Sequence, residues 1–273
     1  MKEETQRIIT VMDIFSEKLK VRFADIDASD TLTIAATFDC FQEAAISHAE
    51  ILGVGRDAMK TGGQVWVLSR LSVFMERRPR FGEPVTVRSW PRGPNRLFAI
   101  RDYDIRDEKD APVVRGRSAW LILDMEKRRP LRPQQATERL PKNEGIDSLP
   151  GPVPGNEPPP GLAAASLPPA VSRRVCYSDI DYNGHMNNTR YIQWMQDLVE
   201  NSVLENARQI RVDINYLAEA RYGETLDLFM GNCQTPCADT AGAPPAAAAA
   251  FAIEGRRAEN GAAVFRAELR TGA

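Results

Sequence analysis

Histidine is almost absent from this chain: two occur in 273 residues, beside four cysteines and an aromatic content of 7%. That scarcity limits the chemistry available. A structural zinc site needs about four nitrogen or sulfur ligands in close spacing. Here His48 and His185 stand far apart, and only Cys233 and Cys237 are near neighbours. We therefore expect no metal, no other cofactor and reduced cysteines. Long apolar runs are lacking as well, none approaching the ~20 residues of a membrane-spanning helix. Neither sign of charge dominates: 35 Lys and Arg against 37 Asp and Glu leave a net charge of -2. Such a balance gives no global pull toward nucleic acid or anionic membrane. The opening Met1–Arg7 is charged on both signs, and no apolar signal region follows it. It is also too acidic, and too poor in serine and arginine, for a transit peptide. The expected compartment is the cytoplasm. Finally, there is no Gly-x-Ser-x-Gly, which disfavours a serine nucleophile on an elbow turn.

Proline is plentiful but confined. Most of it falls within 129–170, including Pro150, Pro152, Pro154, Pro158, Pro159, Pro160, Pro168 and Pro169. Proline fixes φ and removes an amide donor, so this stretch is excluded from helix and interior strand. It reads as a semi-rigid connector, and the chain is long enough for roughly two domains around it. A small-residue tract from Ala241 to Ala250 lacks bulk for a core and reads as a loop.

The two flanks repeat each other. Val21-Arg22-Phe23-Ala24-Asp25-Ile26-Asp27 matches Val175-Cys176-Tyr177-Ser178-Asp179-Ile180-Asp181 at an offset of 154 (175 − 21). That offset also relates Phe38 to Ile192, Phe41 to Met195 and Gln42 to Gln196. Further on, Arg80-Phe81-Gly82-Glu83 matches Arg221-Tyr222-Gly223-Glu224 at 141 (221 − 80), and Phe98-Ala99-Ile100 echoes Phe251-Ala252-Ile253. A repeat about a domain long means two like domains.

Each half reads as strand, helix, then several strands. Phe38, Phe41, Ala45, Ala49 and Leu52 recur at helical spacing and Gly53 stops the run, predicting a helix over 35–52. The second helix is predicted over 187–204, with Tyr191, Met195, Leu198 and Ser202 on one face. Alternating runs such as Val85–Trp90 and Thr225–Phe229 follow, and Asn260-Gly261 marks a hairpin. A long, largely apolar helix wrapped by an antiparallel sheet is the hotdog arrangement. The expectation is α+β, a tandem double hotdog: 14–130, a connector at 131–170, and 171–273.

Chemistry-bearing residues concentrate in Asp179–Tyr191. Carboxylates, amides, an imidazole and a glycine crowd the turn between strand and helix, where buried polar groups need partners. Asp179 and either Asn187 or Asn188 suit turn and helix-cap roles. Asp181, Asn183 and His185, spaced by two, can project together. The following helix start offers unpaired N–H groups and a positive dipole end for an oxyanion. In the first half Asp27 matches Asp181, but Ser29, Thr31, Thr33 and Ile34 stand at the places of Asn183, His185, Asn187 and Asn188. One copy is equipped for chemistry and the other is not.

Over nearly its whole length the sequence resembles the acyl-acyl-carrier-protein thioesterases of plants and bacteria. Asp181, Asn183, His185, Asn187 and Asn188 are similar to that family's catalytic segment. Phe41-Gln42-Glu43-Ala44-Ala45 with His48-Ala49, Trp66–Arg70, Arg77–Glu83 and Ser118-Ala119-Trp120 resemble its first-half signatures. The resemblance also assigns Glu219 a catalytic place, while the cysteine that follows it in plant members is Ala220 here. It implies a soluble hydrolase of fatty acyl thioesters on acyl carrier protein. Asp181 or Glu219 would act as base or nucleophile, helped by His185 and Asn183. Asn187 and Asn188 would contact substrate. The first half would hold the acyl chain, with Phe38, Phe41 and Trp66 as candidate tunnel residues. Arg77, Arg78 and Arg80, and Lys127, Arg128, Arg129 and Arg132, are candidate contacts for an acidic carrier or for coenzyme A phosphates. An acyl-CoA thioesterase, a non-catalytic acyl-thioester-binding hotdog and a hotdog dehydratase are the competing expectations. No nucleic-acid partner is expected, and a homodimer is left open.

Overall fold

The computed structural model describes residues 13–133, 137–138, 140–155, 162, 168–232 and 247–272. The first half contributes β1 (Phe15–Lys20), α1 (Ile34–Ile51), α2 (Arg56–Thr61), β2 (Gln64–Met75), β3 (Pro84–Asn95), β4 (Phe98–Arg106), β5 (Pro112–Asp124) and β6 (Arg129–Leu131). The second contributes β7 (Val171–Arg174), α3 (Asn188–Gln196), α4 (Asn201–Asn206), β8 (Gln209–Tyr216), β9 (Thr225–Asn232), β10 (Ala247–Arg257) and β11 (Ala263–Gly272). All strands join one antiparallel sheet in the order β1-β3-β4-β5-β2-β8-β11-β10-β9-β7, with β6 beside β5. The order reads the same from both ends once β1 is matched to β7, β2 to β8, β3 to β9, β4 to β10 and β5 to β11. This is the double hotdog. The repeat that the sequence suggested is therefore a pseudo-two-fold axis.

The axis passes between β2 and β8, where Ser72 faces Asp213. These residues are 141 positions apart, the offset that relates Arg80 to Arg221, and the Ser72 hydroxyl donates to Asp213 Oδ1 at 2.5 Å.

Inside the sheet lies α1, as predicted to within a residue at each end. Thr33 caps it by accepting the Ala36 N–H at 3.1 Å, and Gly53 takes φ +70 just beyond its end. Phe38 and Phe41 are each 1% exposed. Phe41 stacks on Tyr103 at 4.8 Å between ring centroids and lies directly against Gly116. A Cβ on that glycine would come within 2.5 Å of the Phe41 ring, so β5 needs glycine there for the helix to settle.

The second helix is shorter than its periodicity predicts. α3 ends at Gln196, and α4 begins only at Asn201. Asp197 is the C-cap and is drawn to Arg173 of β7 at 2.8 Å, so the chain turns there. Tyr191, Ile192, Met195 and Val199 are buried, but Ser202 is exposed and does not extend the stripe. The alanine tract is corrected as well. Its described part, Ala247–Ala250, opens β10 rather than looping, because backbone pairing with β11 supplies what the small side chains do not. Cys233 and Cys237 lie outside the described residues; Cys40 and Cys176 are free thiols.

The proline-rich stretch does more than connect. Residues 140–155 run across the outer face of the sheet as a strap, bonded to strand after strand. Trp90 Nε1 donates to the Ile146 carbonyl at 2.9 Å, and Ser148 N–H donates to Asp102 Oδ2 at 3.0 Å. Arg117 binds Asp102 and Asp147, each at 2.6 Å. Arg70 reaches the Pro154 carbonyl, and Asn215 of β8 reaches that of Gly155. The strap's own Leu149 and Val153 are buried. Having no amide to donate, its prolines suit a segment that offers carbonyls to side chains instead of pairing as a strand. Among the described residues no helix is long and apolar enough to cross a membrane.

Candidate active site

The two halves present the same local frame. In the first, a 3-10 turn at Phe23–Asp25 leads to a bridge between Ile26 and Leu32, and Thr31 bridges Arg80. In the second, a 3-10 turn at Tyr177–Asp179 leads to a bridge between Ile180 and Met186, and His185 bridges Arg221. Gly184, at φ +77, lets the chain reverse between Asp181 and His185.

What the frame carries differs. His185 Nε2 lies 3.1 Å from Glu219 Oε2, and Arg221 Nη2 lies 3.9 Å from the same oxygen. Glu219 is half-exposed and His185 a quarter exposed, so solvent reaches the pair. The Asp181 carboxylate is occupied differently. Its Oδ1 accepts the Asn183 N–H at 2.8 Å, while the Asn183 amide approaches Oδ2 at 3.5 Å. Asp27 does the same work in the first half, accepting from the N–H and hydroxyl of Ser29 and from Thr31. Asp181 is thus the turn's internal acceptor, and the carboxylate facing the imidazole is Glu219.

Ala220 is fully buried. Its N–H donates to the Tyr191 hydroxyl at 3.1 Å, and its carbonyl accepts from Met186 N–H at 2.7 Å. Position 220 therefore faces the core while 219 and 221 face the cavity. Burial raises the pKa of Tyr191 well above the ordinary tyrosine range, so it stays a neutral phenol that pins this segment.

Asn187 caps α3, its side-chain oxygen accepting from Thr189 N–H at 3.0 Å. Asp179 O accepts Asn187 N–H, and Asn187 O accepts Arg190 N–H. The N–H of Asn188, first residue of α3, has no acceptor among the described residues. Tyr216 donates its hydroxyl to the Asn188 carbonyl at 3.0 Å. One unpaired amide at the positive end of a helix is what a developing oxyanion requires.

A cavity of about 1730 Å³ joins these residues to the first half. Asp181, Asn183, His185, Asn187, Asn188 and Glu219 line it from the second half. Ala45 and Ala49 of α1, Met59 of α2, Trp66 and Leu68 of β2, and Trp120 of β5 line it from the first. Trp66 is held by its Nε1 donating to the Val54 carbonyl at 2.9 Å. Phe38 and Phe41 do not line this cavity but a much smaller one beside it, whose wall shares Leu68, Trp120, Asn188 and Tyr216; Phe41 packs there against Tyr103 and Gly116. Helical periodicity identified a buried face but not which part of it adjoins empty space.

The first group of candidate basic contacts is largely spent within the fold. Arg77 is tied to Glu83 and Asp107. Arg78 is buried against Asp27 and donates to the Leu204 carbonyl at 2.9 Å. Only Arg80 remains well exposed.

Fold and site together define a double hotdog with a polar cluster in one of its two equivalent corners. Comparison with known proteins specifies the family. Residues 12–137 match the acyl-ACP thioesterase N-terminal domain and residues 170–243 match its C-terminal domain; the chain belongs to this family. It is similar to the chloroplastic palmitoyl-acyl carrier protein thioesterase of Cuphea hookeriana, 25% identical over 216 residues. That match covers 76% of this chain and 52% of the relative. The chloroplastic oleoyl-acyl carrier protein thioesterase 1 of Arabidopsis thaliana is 24% identical over 233 residues, 78% of this chain and 62% of the relative. The chain thus spans little more than half the length of these curated relatives. Among solved structures, an acyl-ACP thioesterase from Bacteroides thetaiotaomicron superposes with a TM-score of 0.74 at 23% identity, covering 94% of this chain and 97% of that one. The 12:0-ACP thioesterase from Umbellularia californica gives 0.71 at 20% identity, covering 94% and 93%. Both share the fold.

Proposed function

We propose that this protein hydrolyses fatty acyl thioesters of acyl carrier protein, releasing free fatty acid and holo-carrier in fatty acid biosynthesis, as a cytoplasmic enzyme. The observation that carries the reading is the His185–Glu219 pair, 3.1 Å apart in the wall of a cavity of about 1730 Å³, roomy enough for an acyl chain. Residues 171–273 supply the chemistry, residues 14–130 hold the chain, and 131–170 link them.

A thioester needs little help with its leaving group, because a thiol ionises at about 8–9. In the proposed mechanism Glu219 takes a proton from water as the water oxygen attacks the thioester carbon. Asn183 holds that water. The carbonyl oxygen becomes negative and is met by the Asn188 N–H. Collapse breaks the C–S bond, and the departing sulfur receives the proton through His185. Asp181 is a positioning residue that holds Asn183 and the turn.

The carrier is chosen by family membership and by the names of the relatives, since basic residues at a mouth suit phosphate on either carrier. Thiol release from matched acyl chains on carrier protein and on coenzyme A tests it. A clear preference for the carrier-protein thioester is expected. Equal or better turnover of the CoA thioester would replace the carrier assignment, and no turnover of either would remove the hydrolase reading.

A further inference from the structure

Charged residues such as Glu43, Glu50, Arg56, Lys60, Asp124 and Arg128 line the cavity where they are exposed or half-buried; among its described charged lining residues Arg101 is the buried one. Arg101 of β4 lines the cavity together with Ala45, Ala49, Ala99 and Trp120, yet it is only 8% exposed. One of its terminal nitrogens, Nη1, binds Ser89 Oγ at 2.9 Å and approaches His48 Nδ1 at 3.0 Å. No carboxylate pairs with it among the described residues, and burial pulls its pKa down. Nε and Nη2 make no bond there. A buried guanidinium without a counter-charge is costly. The other buried arginines among the described residues are paired, Arg117 with Asp102, Arg211 with Asp213, Arg78 with Asp27 and Arg270 with Glu268; the half-buried Arg70 has the Pro154 carbonyl instead.

Ala45, Ala49 and Ala99 line the same cavity and, being small, take up little of it. By strand order β4 lies three places from β8, through β5 and β2, or about 14 Å at the usual ~4.8 Å spacing. Arg101 thus stands on a different strand from Tyr216, which leads into the Glu219 segment.

We propose that Arg101, supported by Ser89, is a recognition point for oxygen carried on the acyl chain away from the thioester, such as a terminal hydroxyl or carboxylate. The substrate class becomes oxygenated acyl thioesters, with Nε and Nη2 donating to the oxygen. This deepens the proposed hydrolase reading and rests on it.

The test uses the full chain and carrier-protein thioesters in pairs of matched length, one unsubstituted and one bearing a terminal hydroxyl or carboxylate, across a length series. At one length the wild type should turn over the oxygenated member at least as well as its plain partner. Arg101→Met should then lower the ratio of the two kcat/KM values by about thirtyfold, the range for losing a charged hydrogen bond, and Ser89→Ala should lower it less. Preference for the plain chain at every length, or an equal fall for both members in Arg101→Met, would overturn the proposal while leaving the hydrolase intact. Should no thioester be cleaved, the hydrolase reading fails by itself. Titration of the wild type with free ω-hydroxy and unsubstituted fatty acids then decides: tighter binding of the hydroxy acid supports the site, and equal or weaker binding overturns it. If Arg101→Met does not fold, as judged by circular dichroism, the Ser89→Ala ratio decides.

Discussion

Arg78 stands in the first half where Glu219 stands in the second, and the two side chains make opposite use of one corner. Glu219 faces His185 across 3.1 Å in reach of solvent. Arg78 is buried, paired with Asp27, and bonded to Ser29 and to the Leu204 carbonyl of α4. One substitution in sign thus separates an open corner from one closed by a salt bridge and roofed by the other half's helix. Glu219→Gln removes the proposed base but keeps the shape. Thiol release should fall about 100-fold or more, with the melting temperature nearly unchanged. Retained turnover would move the base elsewhere.

Asp181 and Asp27 predict a second difference. Both carboxylates accept bonds from their own turn, and an asparagine oxygen can accept the same N–H. Asp181→Asn should therefore keep a substantial part of the activity that Asp181→Ala loses. A dead Asp181→Asn enzyme with normal folding would make Asp181 a reacting group. The measurement is the kcat of the two variants side by side.

The first-half corner also predicts a pH effect. Although burial raises the Asp27 pKa, the Ser29 hydroxyl and the Arg78 guanidinium lower it more, and the net shift is downward. A carboxylate with a depressed folded-state pKa contributes stability above its unfolded pKa and loses it as pH falls through the folded one. Asp27→Asn should be less stable than wild type at pH 7, and the gap should narrow on acidification below about pH 4. Urea midpoints at the two pH values report it; a gap that widens would reverse the sign.

Much of this architecture was legible because it is periodic or repeated. The α1 face, the hairpin at Asn260-Gly261 and the offsets of 154 and 141 reappear as helix, turn and pseudo-two-fold axis. Non-local pairings were not legible. The helix break at Asp197 depends on Arg173 of β7, and the strap depends on its carbonyls meeting side chains of four different strands. Arg101 was likewise hidden, because nothing near it in sequence shows that its guanidinium lacks a carboxylate. In the candidate site, spacing grouped His185 and Asn183 on one turn, but that Asp181 accepts from Asn183 while Glu219 faces His185 shows only in three dimensions.

The strap gives a stability prediction. Asp102 is fully enclosed, and burial raises its pKa despite Arg117, Arg92 and the Ser148 N–H. Removing the guanidinium leaves an uncompensated buried charge, which typically costs about 3–5 kcal/mol. Arg117→Ala should lose roughly that amount in denaturant unfolding and should loosen residues 140–155 to proteolysis. Cleavage no faster than in wild type would show that the strap is held without this pair.

Chain length provides the last prediction. Ala49 lies on the α1 face that borders the cavity. It is partly exposed to that space, so a larger side chain can enter the lumen without displacing the Phe38 and Phe41 packing. Each methylene kept from burial forfeits about 0.8 kcal/mol, or roughly fourfold in relative kcat/KM. Ala49→Leu should accordingly shift the preferred acyl chain shorter by two or so carbons (roughly tenfold in the long-to-short ratio), while the rate on the shortest chains holds. An unchanged chain-length profile, measured by thiol release over the same series of carrier-protein thioesters, would place the alkyl chain somewhere other than this cavity.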